Sequence, residues 1–318
     1  MLQLLATCVA FATLPFWIKA VGLYPYLGVE VMIWVIYALG FNLLLGSAGL
    51  PSFGHGAYFG VGAYAFGLSQ LHWGTGLWGS LSLAVLAGAV AGGVVAFFIS
   101  HRRGIYYALL TIAFGQIFWF VAIKRHSVTR GEDGLLNIKR GAAFGVSLDK
   151  LEHLYFFAFA IFVIVLLFLW RLVRSPFGRV LAAIKQNETR ARFVGYHVWA
   201  YKWLAFTLSA LIAGLAGGLF ALAQQSAYPN VMSLHQSGFV VMMALIGGGL
   251  VSFWGPVLGV VLFFVARDLL GAYTETWLLW YGLLFMLVVL FKPEGIAGMW
   301  KDWKKPILKP GVRSDQPA

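Results

Sequence analysis

Continuous apolar runs, most of them about 17–23 residues long, recur along this chain, and a run of that length is what a membrane-spanning helix needs. About twenty residues at a rise of about 1.5 Å each cross a hydrocarbon core of about 30 Å. In hydrocarbon every backbone N–H and C=O must be paired internally, which leaves helices or closed barrels. Unbroken runs, as opposed to short alternating ones, select helices. The runs fall at 2–20, 26–46, 53–71, 77–99, 105–123, 154–173, 203–224, 236–250, 255–272 and 276–291. The eighth and tenth are short, so tilted or re-entrant segments are open for them. The glycine-rich stretch from Gly46 to Gly56 also reads as a broken helix. Composition agrees, with 61% hydrophobic residues and 11% charged, where soluble domains carry about 25% charged. The fold class expected is an all-α integral membrane protein, a polytopic bundle of about ten hydrophobic segments.

The net charge of +12 does not point to nucleic acid, because the basic residues cluster in short loops between apolar runs. That placement is the positive-inside pattern. His101-Arg102-Arg103 separates the fourth and fifth runs, the segment Arg171 to Lys202 holds seven Lys/Arg, and the tail after Phe291 holds six. With ten crossings all three fall on one side together with both termini, and that side is expected to be the cytoplasm. Residues 1–300 then form the transmembrane domain and 301–318 a basic cytoplasmic tail. The 124–153 loop falls on the opposite face, either as a docking place for an external partner or as a plain connector. Cys8 is the single cysteine, so no internal disulfide forms. Ala10-Phe11-Ala12 has the form of a signal-peptide cleavage site, yet no Lys or Arg precedes Lys19, and the segment reads as a retained first helix.

Catalytic and cofactor motifs are missing. There is no G-x-x-x-x-G-K-[ST] loop for ATP, no H-E-x-x-H and no G-x-S-x-G. The seven histidines are scattered, and no cofactor or metal site is expected. Glu30, Arg267 and Asp268 are ionisable residues within apolar runs, near their outer ends, and read as interfacial anchors or functional groups. No midplane carboxylate of the kind that ion-coupled carriers use is evident. Asn42, His55, Thr111, Gln116 and Ser209 are neutral and lie deeper. They read as interhelical hydrogen-bonding groups, worth about 0.6–2 kcal/mol each, or as the lining of a path for a small substrate, for which Asn42, His55, Thr111 and Gln116 are the candidates. Gly56/Gly60, Gly88/Gly92, Gly214/Gly218 and Gly255/Gly259 have the spacing of close helix contacts. Gly49-Leu50-Pro51-Ser52-Phe53 is echoed weakly by Gly249-Leu250-Val251-Ser252-Phe253.

The 174–202 segment carries a different pattern. Ser175 before Pro176 is a helix start. Val180, Ile184 and Thr189/Ala191 then alternate with basic residues as in one short amphipathic helix, which Gly195 ends. A helix set between two membrane helices can act as a lever that pushes both.

This segment resembles the coupling loop of the LivM-type permease subunits of branched-chain amino-acid ABC importers. The resemblance extends along nearly the whole chain. It is carried by Asn42-Leu43-Leu44-Leu45-Gly46, Ser52-Phe53-Gly54-His55-Gly56-Ala57, the stretch Arg103 to Phe114, Thr129-Arg130-Gly131-Glu132-Asp133-Gly134, Trp254-Gly255-Pro256-Val257-Leu258-Gly259 and Phe291-Lys292-Pro293-Glu294-Gly295-Ile296. It implies a bacterial inner-membrane importer of leucine, isoleucine and valine, with urea, short amides or aromatic acids as alternatives. It also implies a second permease subunit, two cytoplasmic ATPase subunits and a periplasmic binding protein, which would account for the missing ATP loop. Arg179, Lys185, Asn187, Glu188, Arg190 and Gly195 are the residues expected at the ATPase contact. The importer motif E-A-A-x-x-x-G is kept here only at Ala191 and Gly195. A stand-alone carrier or channel is the reading from another class.

Overall fold

The structure, a computed structural model, describes residues 2–17, 24–292 and 294–298. The basic tail 301–318, Lys19 and Pro293 lie outside the described residues. The chain is a helical bundle with one two-stranded hairpin. In order it runs α1 (Leu2–Trp17), α2 (Tyr26–Asn42), a π-helical turn (Leu43–Ala48), α3 (Gly56–Trp73), α4 (Leu77–Ile99), α5 (Gly104–Lys124) and the short α6 (His126–Thr129). The hairpin β1 (Ala142–Ala143) and β2 (Val146–Ser147) precedes α7 (Leu151–Arg174). Then come α8 (Pro176–Gln186), α9 (Glu188–Phe193), α10 (Val198–Gln224), α11 (Leu234–Gly247), α12 (Gly255–Tyr273) and α13 (Trp277–Phe291).

Among the described residues, Tyr26–Ala48, Leu77–Ile99, Gly104–Lys124, Leu151–Arg174, Val198–Gln224 and Gly255–Tyr273 are long and apolar enough to cross a membrane by length and composition. The apolar helices Gln3–Phe16, Leu234–Gly247 and Trp277–Phe291 are shorter. Apolar on every face apart from Glu30 near its start, α2 is buried almost throughout, as a helix at the middle of a bundle must be. Around it pack α7, α10, α11 and α12. The longest helix, α10, runs against α4 and α3. Small residues set this approach: a methyl on Gly88 would meet Gly214 Cα at 2.8 Å, and one on Gly217 would overlap the Phe59 carbonyl. Three of the four expected glycine pairs (Gly88/Gly92, Gly214/Gly218, Gly255/Gly259) have both members at such helix contacts. In the fourth, Gly56 faces Ser237 on α11 and Gly60 faces Met232. In contrast α4, α5, α7 and α13 expose rows of large apolar side chains such as Val90, Ile117, Ile164 and Leu290, a surface suited to lipid.

The glycine-rich stretch after α2 breaks, as one of its two sequence readings has it. The π-helical turn stops at Gly49, whose φ of +68° favours glycine, and residues 49–55 run irregularly into α3.

The 124–153 loop packs back on the bundle. Leu135 and Ala227 exchange backbone hydrogen bonds of 2.7 and 2.9 Å, and Arg140 donates to the Ala223 carbonyl at 3.0 Å. The loop thereby closes over the far end of α10. Because α7 runs from this loop to α8, the loop and the α8–α9 pair lie at opposite ends of the bundle.

Candidate functional site

The single amphipathic helix expected over 175–195 is two helices, because Asn187 interrupts it. Asn187 is extended (φ −158°, ψ 101°), and its Oδ1 accepts the Arg190 N–H at 2.9 Å. That is an N-cap, the role asparagine fills best, and it commits the Asn187 side chain to starting α9. Ser175 caps α8 in the same way, its Oγ accepting from the Gly178 N–H. Gly195 (φ +101°) ends α9: its N–H donates to the Arg192 carbonyl and the Tyr196 N–H to the Ala191 carbonyl. These two bonds make a Schellman stop. Val180, Leu181 and Ile184 on α8 and Ala191 on α9 face inward, while Thr189, expected on the apolar face, is exposed.

Glu188 is the electrostatic centre of this end. Its Oε1 lies 3.0 Å from Arg103 Nε and 3.6 Å from Arg192, and its Oε2 lies 3.6 Å from Lys202 Nζ. Lys202 also donates to the Arg102 carbonyl at 2.6 Å, and Arg103 donates to Thr189 Oγ1 at 3.3 Å. The loop between α4 and α5 is thus bound to α9 and to the start of α10. Lys202, assigned by sequence to the loop, lies within α10 and is completely buried. That helix starts at Val198, about a turn before the apolar pattern begins, because internal partners satisfy the Lys202 ammonium. A buried charge needs such partners.

Lys185 is exposed, yet its ammonium reaches back to the bundle. Its ammonium donates to the Gly46 carbonyl at 2.8 Å and the Leu250 carbonyl at 2.9 Å. Desolvation there holds the ammonium below the ordinary lysine value. Beside it lies an open cavity of about 560 Å³ bordered by Asn42, Gly46, Arg179, Gln186 and Ser252. Arg179 and Arg190 are exposed. At the end of α9, after Arg190 and Arg192, stand Phe193, 87% exposed, and Val194, 72% exposed, an apolar tip preceded by arginines. Sequence reasoning did not single out this pair. The signal was two apolar residues directly before Gly195, off the amphipathic period.

The four pathway candidates lie in different surroundings. Asn42 is buried against Gly46 and Gly249 and borders the cavity beside Lys185. His55 is buried among Tyr37, Phe41, Tyr58 and Phe206, its Nε2 3.0 Å from Ser209 Oγ. Thr111 Oγ1 accepts the Phe53 N–H at 3.1 Å and donates to the Ala108 carbonyl at 2.6 Å. With Gly56 N–H donating to Ser237 Oγ at 2.9 Å, these groups fasten the broken segment 49–56 to α5, α10 and α11. Gln116 is half-buried on α5.

A bundle of long apolar helices, broken internally and carrying a basic helix pair at one end, defines a multi-pass membrane protein. The chain belongs to the family described as branched-chain amino acid transport system / permease component, whose model matches residues 25–291. Over 310 residues it is 31% identical to the high-affinity branched-chain amino acid transport system permease protein LivM of Salmonella typhimurium, covering 90% of this chain and 72% of that one. The LivM of Escherichia coli gives the same identity and coverage. The probable LivM of Methanocaldococcus jannaschii is 24% identical over 88% of this chain and 93% of its own. No solved structure matches the chain.

Proposed function

We propose that this subunit forms half of the path by which an ATP-driven importer carries leucine, isoleucine and valine across the bacterial inner membrane. Its partners are a second related permease, two cytoplasmic ATPase subunits and a periplasmic binding protein. The names of its relatives supply the substrate class. One observation carries the coupling role: at the α8–α9 end Arg179, Arg190, Phe193 and Val194 stand free, while Lys185 and Glu188 bind this helix pair to the bundle. The pair is therefore free to receive a partner and bound to what it must move.

In this reading the bundle crosses the membrane ten times with both termini and α8–α9 in the cytoplasm, and the binding protein docks on the 124–153 loop. The ATPase meets Arg179, Arg190, Phe193 and the Gly195 stop, whereas Asn187 and Glu188 hold the shape of that contact. Asn42 and Gln116 lie along the substrate path, with His55 and Thr111 fixing its broken wall. ATP shifts the equilibrium only through its different affinity for the outward- and inward-open states, and α8–α9 conveys that difference. The test is leucine uptake into liposomes holding the whole complex. Uptake should require ATP and collapse with Arg179→Glu. Uptake by this chain alone, driven by an ion gradient without ATP, would overturn the proposal in favour of a carrier.

A further inference from the structure

Lys185 joins three helix ends. It sits in the last turn of α8. Gly46, one of its acceptors, lies in the π-helical turn that finishes α2. Leu250, the other, follows Gly248, the left-handed residue (φ +91°) that closes α11. The last carbonyls of a helix lack intrahelical donors and carry partial negative charge. The Gly46 carbonyl is one of these, and the Leu250 carbonyl lies in the turn just past the end of α11, so one ammonium joins both from the end of a third helix.

The fit is specific. The Lys185 stem runs over Gly49, where a Cβ would stand 2.9 Å from Lys185 Cγ. The two acceptor segments also touch each other, since a methyl on Gly46 would meet the Gly249 carbonyl at 2.6 Å. The weak echo between 49–53 and 249–253 thus has a spatial counterpart, because both copies flank the same lysine. In membrane carriers with broken helices, unwound carbonyls of this kind hold a transported cation. Here the chain brings its own cation, on a flexible stem with three donors.

We infer that Lys185 is the positioning residue of the transport stroke: by tying α8 to the broken ends of α2 and α11, it carries the displacement of the coupling helices into both parts of the core at once. Without it, α8 would still follow its ATPase partner through Arg179, but the helix ends that border the cavity would not follow α8. This inference rests on the importer reading, which supplies the partner that moves α8.

The experiment uses the complete complex in liposomes and reads leucine imported per ATP hydrolysed. Lys185→Met should lower that ratio about tenfold, the scale of an ordinary coupling free energy. Lys185→Arg, which keeps the charge but not the compact ammonium, should restore part of it. Simple loss of folding lowers uptake and hydrolysis together and leaves the ratio of the surviving complexes unchanged, and an unchanged ratio in Lys185→Met overturns the inference. A second measurement leaves Lys185 in place. With Cys8 replaced by Ser, spin labels at Gln186 and Val251 should keep one separation with and without trapped nucleotide, and a separation that changes overturns the inference equally. Absence of ATP-dependent uptake by the unaltered complex would instead sink the importer reading.

Discussion

Glu188 Oε1 lies 3.0 Å from Arg103 Nε, and the other oxygen of the same carboxylate lies 3.6 Å from the ammonium of Lys202. One side chain on α9 thereby neutralises a buried lysine on α10 and holds the entrance of α5. Removing one partner of a buried pair leaves the other charge uncompensated, at a cost of about 3–5 kcal/mol. Glu188→Gln should lower the thermal midpoint of the detergent-purified protein clearly. Lys202→Met in the same chain should recover part of the loss, because the stranded charge is gone. A double-mutant cycle reads the pairwise coupling, and additive losses from the two changes would argue against the pair.

At the start of α2 the geometry is similar but the helices differ. Arg267 on α12 grips Glu30 with two bonds of 3.1 and 3.2 Å, donates to Tyr24 Oη at 3.0 Å and pairs with Asp268 at 2.9 Å. Sequence alone left these three ionisable residues between anchoring and function, whereas the structure joins them into a clamp between α2 and α12. Hydrogen bonds to charged groups contribute about 1.5–3 kcal/mol. Arg267→Met should destabilise the protein by about that much in chemical or thermal unfolding. Arg267→Lys should fare only partly better, since an ammonium cannot reproduce a two-bond grip on a carboxylate. Equal stability of Arg267→Met and the unaltered chain would remove the clamp from the account.

Helix positions were legible in the sequence because hydrocarbon imposes a length and an apolar content on any crossing segment, and the runs at 26–46, 77–99, 105–123, 154–173, 203–224 and 255–272 carry both. The boundary of α10 was not, because Lys202 looks like a loop residue until its counter-charge on Glu188 is seen. The break at Asn187 was legible in principle, since asparagine before Glu188 is a capping signal, but the apolar spacing on either side concealed it. The roles of Lys185, His55 and Thr111 depend on contacts between distant segments, such as Lys185 with Gly46 and Leu250. Local periodicity carries no information about those contacts.

Phe193 tests the exposed tip without touching the core. It is 87% exposed and follows two arginines on α9, so Phe193→Ala costs the fold little. Bound in a partner's groove, the same ring would be an aromatic anchor, whose truncation costs about 2 kcal/mol or more of binding. The variant should therefore unfold at the normal temperature yet retain less ATPase subunit through affinity purification. Undiminished recovery of the ATPase would place the contact elsewhere on the helix pair.

Two glycines give opposite expectations for one added methyl. At Gly217 on α10 a Cβ would overlap the Phe59 carbonyl, and Ala63 N lies close behind. Backbone cannot yield as a flexible side chain does, so α3 and α10 would have to separate, and overpacking of this kind costs about 1–3 kcal/mol. At Gly238 on α11 a Cβ would meet nothing within 4 Å, and alanine in a helix interior is favoured over glycine by about 0.5–1 kcal/mol. Gly217→Ala should thus lower the unfolding midpoint of the purified protein and Gly238→Ala should leave it level or raise it. A Gly217→Ala midpoint at or above that of the unaltered protein would mean that α3 and α10 do not pack at this distance.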